Sequence, residues 1–413
     1  KMQIMKKEVR SFFLRSGFSP NPLNISDCIF TNCCGKLGSI IVINSIDYEI
    51  TLANITFEKC QNNYYSDSPQ GYFIILDFNC SEAKADFVNC TFSDLESNSL
   101  NGGGIGLLIK NGDKYTILFN NSSFVNIVHS NSTVGGGAIQ ISPLNPSNKL
   151  TDLIVKGCLF SNVTSNGYGG AIYYDSDSCF ISIYDCIFEN VISYDGHAIF
   201  IHMNSSMKAT VSNCVFNNCC PKNNPNSYLI ILNSFTFYFS FNEIIFPNQE
   251  KTCKIINSSL LLYHCYNDNI FKNIKILEEF KQPLINEISN NESVTIIIEN
   301  NTFDNIDGSC QGRCINIDVA NSLSLIIANN SFIDCPVGSF FLKIVFQNEV
   351  SSFDINSFRF INLNNEFEFC PHVLIQNKIE NKLQCIYNLN FVNCYFENNT
   401  NPSNGGAFIV KII

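Results

Sequence analysis

Asp86, Asp175, Asp177, Asp354, Arg313, Arg359, His197 and His202 are the side chains to weigh as an acid–base site, and the sequence places no stack of them on neighbouring repeats. Cleavage of a polysaccharide needs two converging carboxylates, or a carboxylate-held calcium with an Arg or Lys base, on one accessible face. Asp175 and Asp177 share a single loop, and the remaining candidates are scattered: Asp86 and Asp354 are far apart along the chain, and Arg313 and Arg359 are isolated. His197 occupies a position that is glycine in sister segments and reads as a structural variant. His202, expected to face outward beside Phe200, is the one remaining acid–base candidate. No catalytic, cofactor-binding or metal-ligating residue is assigned on this pattern, and no cofactor is expected.

The twenty cysteines raise metal and disulfide chemistry next. None falls in a Cys-x-x-Cys pair of the zinc or redox type. Their positions are instead periodic, as set out below, and free Cys packs as a small hydrophobe. Asn-x-Ser/Thr triplets recur, and those at Asn131, Asn204, Asn257 and Asn291 fall nearest to expected loops, where a glycan could be accepted in a secreted protein. Glycine runs at Gly102 to Gly104 and Gly135 to Gly137 lack the spacing of a phosphate cradle and read as turn and strand-entry residues.

What positions these groups is a repeat. Phenylalanine returns about every thirty residues, at Phe30, Phe57, Phe92, Phe124, Phe160, Phe188, Phe216, Phe246, Phe271, Phe303, Phe332, Phe360 and Phe396. Aligned on it, the fifth residue before is apolar or aromatic throughout (Ile25, Leu52, Phe87, Phe119, Val155, Ile183, Val211, Phe241, Tyr266, Ile298, Ile327, Ile355, Phe391). The seventh before is mostly apolar too, with a mixed position between, so this segment alternates as a strand with one buried face. The parity then slips at the third residue before the Phe, where Asn54, Asn89, Asn121, Asn213, Asn300, Asn329 and Asn393 stand, with Asp27, Asp185 and Asp268 in other repeats. Asn and Asp tolerate left-handed backbone, so a one-residue corner is expected there.

A second corner is expected two residues after the Phe, at Asn32, Asn126, Asn162, Asn190, Asn218, Asn273, Asn305, Asn362 and Asn398, with Asp94 and Asp334 as substitutes. A glycine signal and a third strand follow, as in Gly136-Gly137-Ala138-Ile139, Gly169-Gly170-Ala171-Ile172, Gly196-His197-Ala198-Ile199 and Gly405-Gly406-Ala407-Phe408. Cys28, Cys90, Cys158, Cys186, Cys214 and Cys394 then fall in the buried column two before the Phe. Cys33, Cys60, Cys219 and Cys335 fall in the one three after it. Stacked neighbours such as Cys158, Cys186 and Cys214 would lie near the Cα spacing that a disulfide tolerates.

Short strands joined by corners too brief for helices define an all-β fold, a right-handed single-stranded parallel β-helix (solenoid) of about thirteen coils of three short strands. Residues 1–20 are read as an N-terminal extension or cap. Residues 21–413 form the β-helix, irregular at about 221–290 and truncated at the C-terminus, since the chain lacks an initiator Met and stops within a repeat. Leu229 to Phe241, the most apolar run, is broken by polar residues and reads as two buried strands rather than a membrane span.

The repeats that pair a Gly-Gly-Ala-Ile strand with a Phe and Asn segment resemble those of the polymorphic membrane protein family, over most of the chain and best from Gly103 to Asn218 and Phe391 to Ile409. That resemblance implies a right-handed, pectin-lyase-like β-helix serving as a surface protein or adhesin. The net charge of -11 with four arginines argues against nucleic acid as a partner, because phosphate binding needs clustered cations. The expectation is therefore a non-enzymatic protein of the extracellular space or cell surface, using variable loops for adhesion to a protein or glycan ligand. Its alternatives are a carbohydrate-active β-helix enzyme and a structural spacer of a surface assembly. Outward apolar pairs, Leu118 with Ile154 and Ile297 with Ile326, mark either a partner surface or a loop packed across the sheet.

Overall fold

The computed structural model describes residues 12–15, 22–33, 41–45, 49–62, 73–79, 82–97, 105–111, 114–130, 135–143, 151–175, 179–202, 208–219, 227–233, 236–246, 254–258, 263–276, 284–289, 293–308, 314–319, 322–335, 342–346, 352–356, 359–361, 373–377, 389–392, 394–397 and 408–412. Among them every regular element is a strand. The strands are short and pair in parallel with their equivalents one repeat on, so the chain is an all-β parallel solenoid. It divides into two compact units: Lys1–Thr210 with Cys214–Pro221 and Leu229–Ile231, and Val211–Asn213 with Lys222–Tyr228 and Leu232–Ile413.

Three kinds of strand build each unit. The first kind precedes the first corner and in unit 1 includes Glu49–Ala53, Glu82–Val88, Lys114–Asn120, Thr151–Lys156 and Cys179–Tyr184. The second carries the Phe, as in Thr56–Glu58, Thr91–Ser97, Ser123–His129, Leu159–Ser165 and Ile187–Glu189. The third follows the glycine signal, as in Ile105–Asn111, Ile139–Pro143, Ile172–Asp175 and Ile199–His202. These form what we term the entry, Phe and glycine sheets. Unit 2 repeats the plan with Ser293–Glu299, Thr302–Gly308 and Ile315–Val319.

Register is strict because one face of each strand is buried, and a one-residue slip would turn that face outward. Phe92 pairs with Phe124 and Phe124 with Phe160; Ile296 pairs with Leu325. Each Phe therefore stacks on the next. Ring centroids from Phe30 to Phe216 are 4.7 to 5.2 Å apart, and Phe271, Phe303 and Phe332 continue the pattern in unit 2 at 4.8 Å. Such offset stacks contribute about 0.5–1.5 kcal/mol per pair beyond burial.

Both expected corners form as left-handed residues. At the first, Asp27, Asn54, Asn89, Asn121, Asp185, Asn213, Asp268, Asn300 and Asn329 have φ between 49° and 57°. At the second, Asn32, Asp94, Asn126, Asn162, Asn190, Asn218, Asn273, Asn305 and Asp334 have φ between 49° and 56°. The side chains also bond one another along the stack: Asn162 Nδ2 donates to Asn126 Oδ1 at 3.1 Å, Asn190 to Asn162 at 3.1 Å, and Asn329 to Asn300 at 3.1 Å. Gly157 fills a first corner at φ 61°, where a Cβ would come within 2.4 Å of Asn121 Oδ1. Asn362, Asn393 and Asn398 lie outside the described residues.

One repeat departs from the sequence alignment. Phe241 is not a buried strand residue: it is 60% exposed with φ 55°, taking the first corner itself. The residue paired with Phe271 is Ile244, and Phe239 fills the apolar column. This repeat substitutes Ile for the marker Phe, so an alignment anchored on Phe246 runs two residues late. The run from Leu229 does contain two strands, Tyr228–Asn233 and Thr236–Ser240, with Leu229, Ile230, Phe237 and Phe239 fully buried.

The column two before the Phe changes character between units. In unit 1 it holds Cys28, Cys90, Cys158, Cys186 and Cys214, all buried, with Ile55 and Ser122 between. In unit 2 it holds Asn242, Asn269, Asn301 and Asn330, each 0–1% exposed, and further on the half-buried Cys394. These buried amides bond in series. Asn301 Oδ1 accepts from Asn269 N and Nδ2 at 3.0 and 2.9 Å, while its own Nδ2 donates to Tyr266 O at 3.1 Å and Asn330 Oδ1 at 2.9 Å. A buried amide without partners is costly, whereas this one has its donors and acceptor engaged.

Asn301→Ala would therefore strand the backbone and side-chain donors of Asn269 in a dry interior and is expected to cost at least about 3 kcal/mol. Asn54→Ala should cost about 1–2 kcal/mol for its left-handed backbone, and Asn121→Gly about 0.5 kcal/mol or less. Residue-resolved hydrogen exchange checks the ranking, since loss in a repeat protein is confined to neighbouring coils.

Candidate functional site

Stacking puts Asp175 directly beside His202. The glycine-sheet strands Ile172–Asp175 and Ile199–His202 pair Tyr173 with Phe200 and Asp175 with His202. His202 Nδ1 lies 2.9 Å from Asp175 Oδ1, with the two side chains 40% and 47% exposed. Tyr173 donates its hydroxyl to Asp175 Oδ2 at 3.3 Å. Burial, and after it the neighbouring Asp175 charge, push the Tyr173 hydroxyl above its ordinary pKa, so it stays a donor.

Aromatic rings cluster beside this pair. Phe200 stacks on Tyr173 at 5.3 Å and 10°, and Tyr168 meets Phe200 at 5.0 Å and Tyr194 edge-on at 5.8 Å. Tyr168 and Tyr194 come from turns that precede consecutive glycine strands, joined by the bridge between Tyr168 and Asp195 and by Tyr194 N donating to Gly167 O at 2.9 Å. Tyr173 is covered, since a Cβ on Gly135 would strike its ring at 1.9 Å, whereas Tyr194 is 59% exposed. The result is an open aromatic platform with a carboxylate–imidazole pair at its margin. Hydroxyl groups of a sugar suit the pair, and the C–H face of a pyranose ring suits the platform.

The other singled-out residues are dispersed. Asp86 sits in the entry sheet, 9% exposed, bonded to Lys84 at 2.7 Å, which also reaches Glu49 at 2.9 Å. It does not meet Asp175. Asp177 and Arg313 lie outside the described residues, as do the side chains of Asp354 and Arg359. Among the described residues, no three His, Cys, Asp or Glu side chains converge as metal ligands would. Leu118 and Ile154 pair in register and are half-buried, as are Ile297 and Ile326.

The glycine signals mark close backbone approach. Gly136, Gly169 and Gly196 have φ of 75°, 63° and 60° at the strand entry. A Cβ on Gly170 would lie 2.3 Å from His197 O. His197 itself is fully buried and accepts a hydrogen bond from Ser193 N at Nδ1, 3.1 Å, so it is a turn-closing residue rather than a surface base. Gly102 to Gly104 and Gly405 to Ala407 lie outside the described residues.

The twelve cysteines whose side chains are described are free thiols, and those assigned to the two buried columns are buried except Cys394, which is half-buried. Of the glycosylation candidates, Asn257 lies in the strand Lys254–Ser258, paired with Asn286, rather than in a loop; its triplet precedes a segment whose boundary the sequence pattern left faint. Asn131, Asn204 and Asn291 lie outside the described residues. No family model, curated protein or solved structure matches the chain.

The sequence alone pointed to His202 and Phe200 but not to Tyr168, Tyr173 or Tyr194 as their neighbours. The glycine signals, with Tyr168 one residue before Gly169 and Tyr194 two before Gly196, carried the missing information.

Burial holds His197 far below the ordinary histidine pKa, at about 3. Between there and the unfolded value near 6.5 the unfolded chain binds a proton that the folded one does not. Stability should therefore fall as pH drops from about 6.5 towards 3, by up to about 1.4 kcal/mol per pH unit from this residue. Thermal unfolding of the full chain against His197→Gly, which restores the residue found in sister repeats, checks this: the variant should show a shallower acid loss.

Proposed function

We propose that this chain is a non-enzymatic recognition scaffold of the extracellular space or cell surface, a right-handed β-helix of the polymorphic membrane protein type, and that its ligand is a glycan. The observation that carries the reading is the platform of Tyr168, Tyr194 and Phe200 beside Asp175 and His202. Tyr194 is exposed and Tyr168 and Phe200 are half-buried, and clustered, accessible aromatic groups are the usual anchors of a binding surface. With Phe200 in a strand and Tyr168 and Tyr194 in turns tied by backbone hydrogen bonds, the site needs little reordering on binding, which keeps the entropic cost low. The acidic balance of the chain favours neutral or amino sugars over polyanionic ones.

The same pair supports a second reading, a carbohydrate-active enzyme, because His202 held by Asp175 has the arrangement of an oriented general base. Recognition is favoured because glycoside cleavage by paired acids needs two carboxylates converging at a defined separation, and among the described residues the other carboxylate of the platform, Asp195, accepts from its own turn at Gly196 N, 2.9 Å.

Immobilised acidic and neutral polysaccharides presented to the full chain distinguish the readings. Retention without chain shortening is expected, with Tyr194→Ala and Phe200→Ala each weakening it by roughly tenfold, equivalent to about 1.4 kcal/mol. Release of new reducing or unsaturated ends would overturn the non-enzymatic reading. Retention unaffected by both substitutions would remove the platform from the binding surface.

A further inference from the structure

Cys33 and Cys60 occupy the same position on consecutive coils of unit 1, three residues after Phe30 and Phe57. The backbone there is in ladder register, with Gln61 N donating to Cys33 O at 3.0 Å and Asn32 N to Glu58 O at 3.0 Å. Neighbouring parallel strands lie about 4.8 Å apart, inside the Cα range of about 4.4–6.8 Å that a disulfide spans. Cys60 Sγ donates to Phe30 O at 3.5 Å and to Glu58 O at 3.4 Å, and Cys33 Sγ to Thr31 O at 3.7 Å. The neighbouring Cys60 thiol, against the opposing effect of burial, holds Cys33 below the ordinary thiol value, at about 7; Cys33, with burial, raises Cys60.

Access separates this pair from the other stacked thiols. Cys33 lines a cavity of about 360 Å³ with Asn32, Lys59, Gln61, Asp94 and Glu96. The titratable groups facing it are thus Cys60, Lys59, Asp94 and Glu96; Lys59 is turned to Glu58 at 2.8 Å. Cys33 is 5% exposed and Cys60 0%, so the first can be reached and the second waits behind it. Cys158, by contrast, is stacked in the column facing the core, with its Sγ donating to Lys156 O at 3.3 Å, and the neighbouring Cys186 thiol, followed by burial, drives its pKa up.

We propose that Cys33 and Cys60 form a thiol–disulfide exchange site, with Cys33 as the attacking and Cys60 as the resolving cysteine, and with a low-molecular-weight disulfide such as glutathione disulfide as its oxidant. Cys33 thiolate attacks one sulfur of glutathione disulfide; the glutathione S–S bond breaks and one glutathione thiolate leaves with the electron pair. Cys60 then gives its proton to solvent and attacks Cys33 sulfur, breaking the mixed disulfide and releasing the second glutathione thiolate. Two protein thiols are oxidised by two electrons, one glutathione disulfide is reduced to two glutathiones, and the two protons lost by the protein balance those taken up by the products. The site is independent of the glycan platform.

The test is acid-quenched peptide mapping of the full chain after incubation in glutathione redox buffer. A Cys33–Cys60 cross-link is expected in wild type, glutathione retained on Cys33 in Cys60→Ser, and neither in Cys33→Ser. In wild type alone, which needs no variant to fold, iodoacetamide at pH 7 should modify Cys33 at least about tenfold faster than Cys158. Equal rates at the two positions, a Cys33 rate that rises only above pH 8.5, or a cross-link that joins Cys33 to another cysteine would each overturn the proposal.

Discussion

Every position on this chain must be able to sit against its own equivalent. In a parallel solenoid the strands stack in register at about 4.8 Å, so a side chain meets its equivalent one repeat on more closely than any side chain on the same face of its own strand. A side chain is retained only if that contact is favourable or neutral. Phe on Phe satisfies the condition by offset stacking, and Ile on Leu by dispersion, as where Ile296 meets Leu325. Asparagine satisfies it because its amide both donates and accepts, so a column of them closes in series without a leftover charge. Aspartate on aspartate would not. At the first corner Asp27 is followed by Asn54, which donates to it at 3.4 Å, and at the second Asp94 is followed by Asn126, which donates at 2.9 Å.

That constraint explains why so much of the fold could be read from the sequence. Stacking writes each structural position as a column, and columns at a thirty-residue spacing survive loops of different length. The corners were legible because left-handed backbone selects Asn, Asp and Gly, and the buried Cys columns because their parity matched the Phe. Where the marker residue is replaced the reading fails locally. Ile244 does the work of Phe in its coil, so Phe241 was placed inside although it forms an exposed corner.

The buried asparagines were hidden for a different reason. Asn242, Asn269, Asn301 and Asn330 sit next to Phe241, Asp268, Asn300 and Asn329, which take the corners, and in an Asn-rich chain adjacent polar residues suggest a turn rather than a core. Composition cannot separate an amide that points out from one that points in; only the ladder of acceptors does so. The candidate site was legible in half. His202 and Phe200 lie in a strand whose alternation assigns them outward, while Tyr168 and Tyr194 reach the same surface from turns, where alternation carries no information.

Chemistry on such a scaffold arises where unlike residues are stacked. Asp175 against His202 and Lys272 against Asp304, at 3.4 Å, are such places on the outside, where solvent tolerates the charges. Cys33 against Cys60 is a stack of like residues made unlike by access, since the first lines a cavity and the second is fully buried. The fold thus supplies rigid, regularly spaced positions, and reactivity or recognition follows from breaking their equivalence at a few of them. In the glycine sheet the break is aromatic as well as charged. Tyr173 and Phe200 stack as any core pair would, yet Tyr168 and Tyr194 extend that stack outward from the turns, converting a packing motif into a surface that a ligand can share.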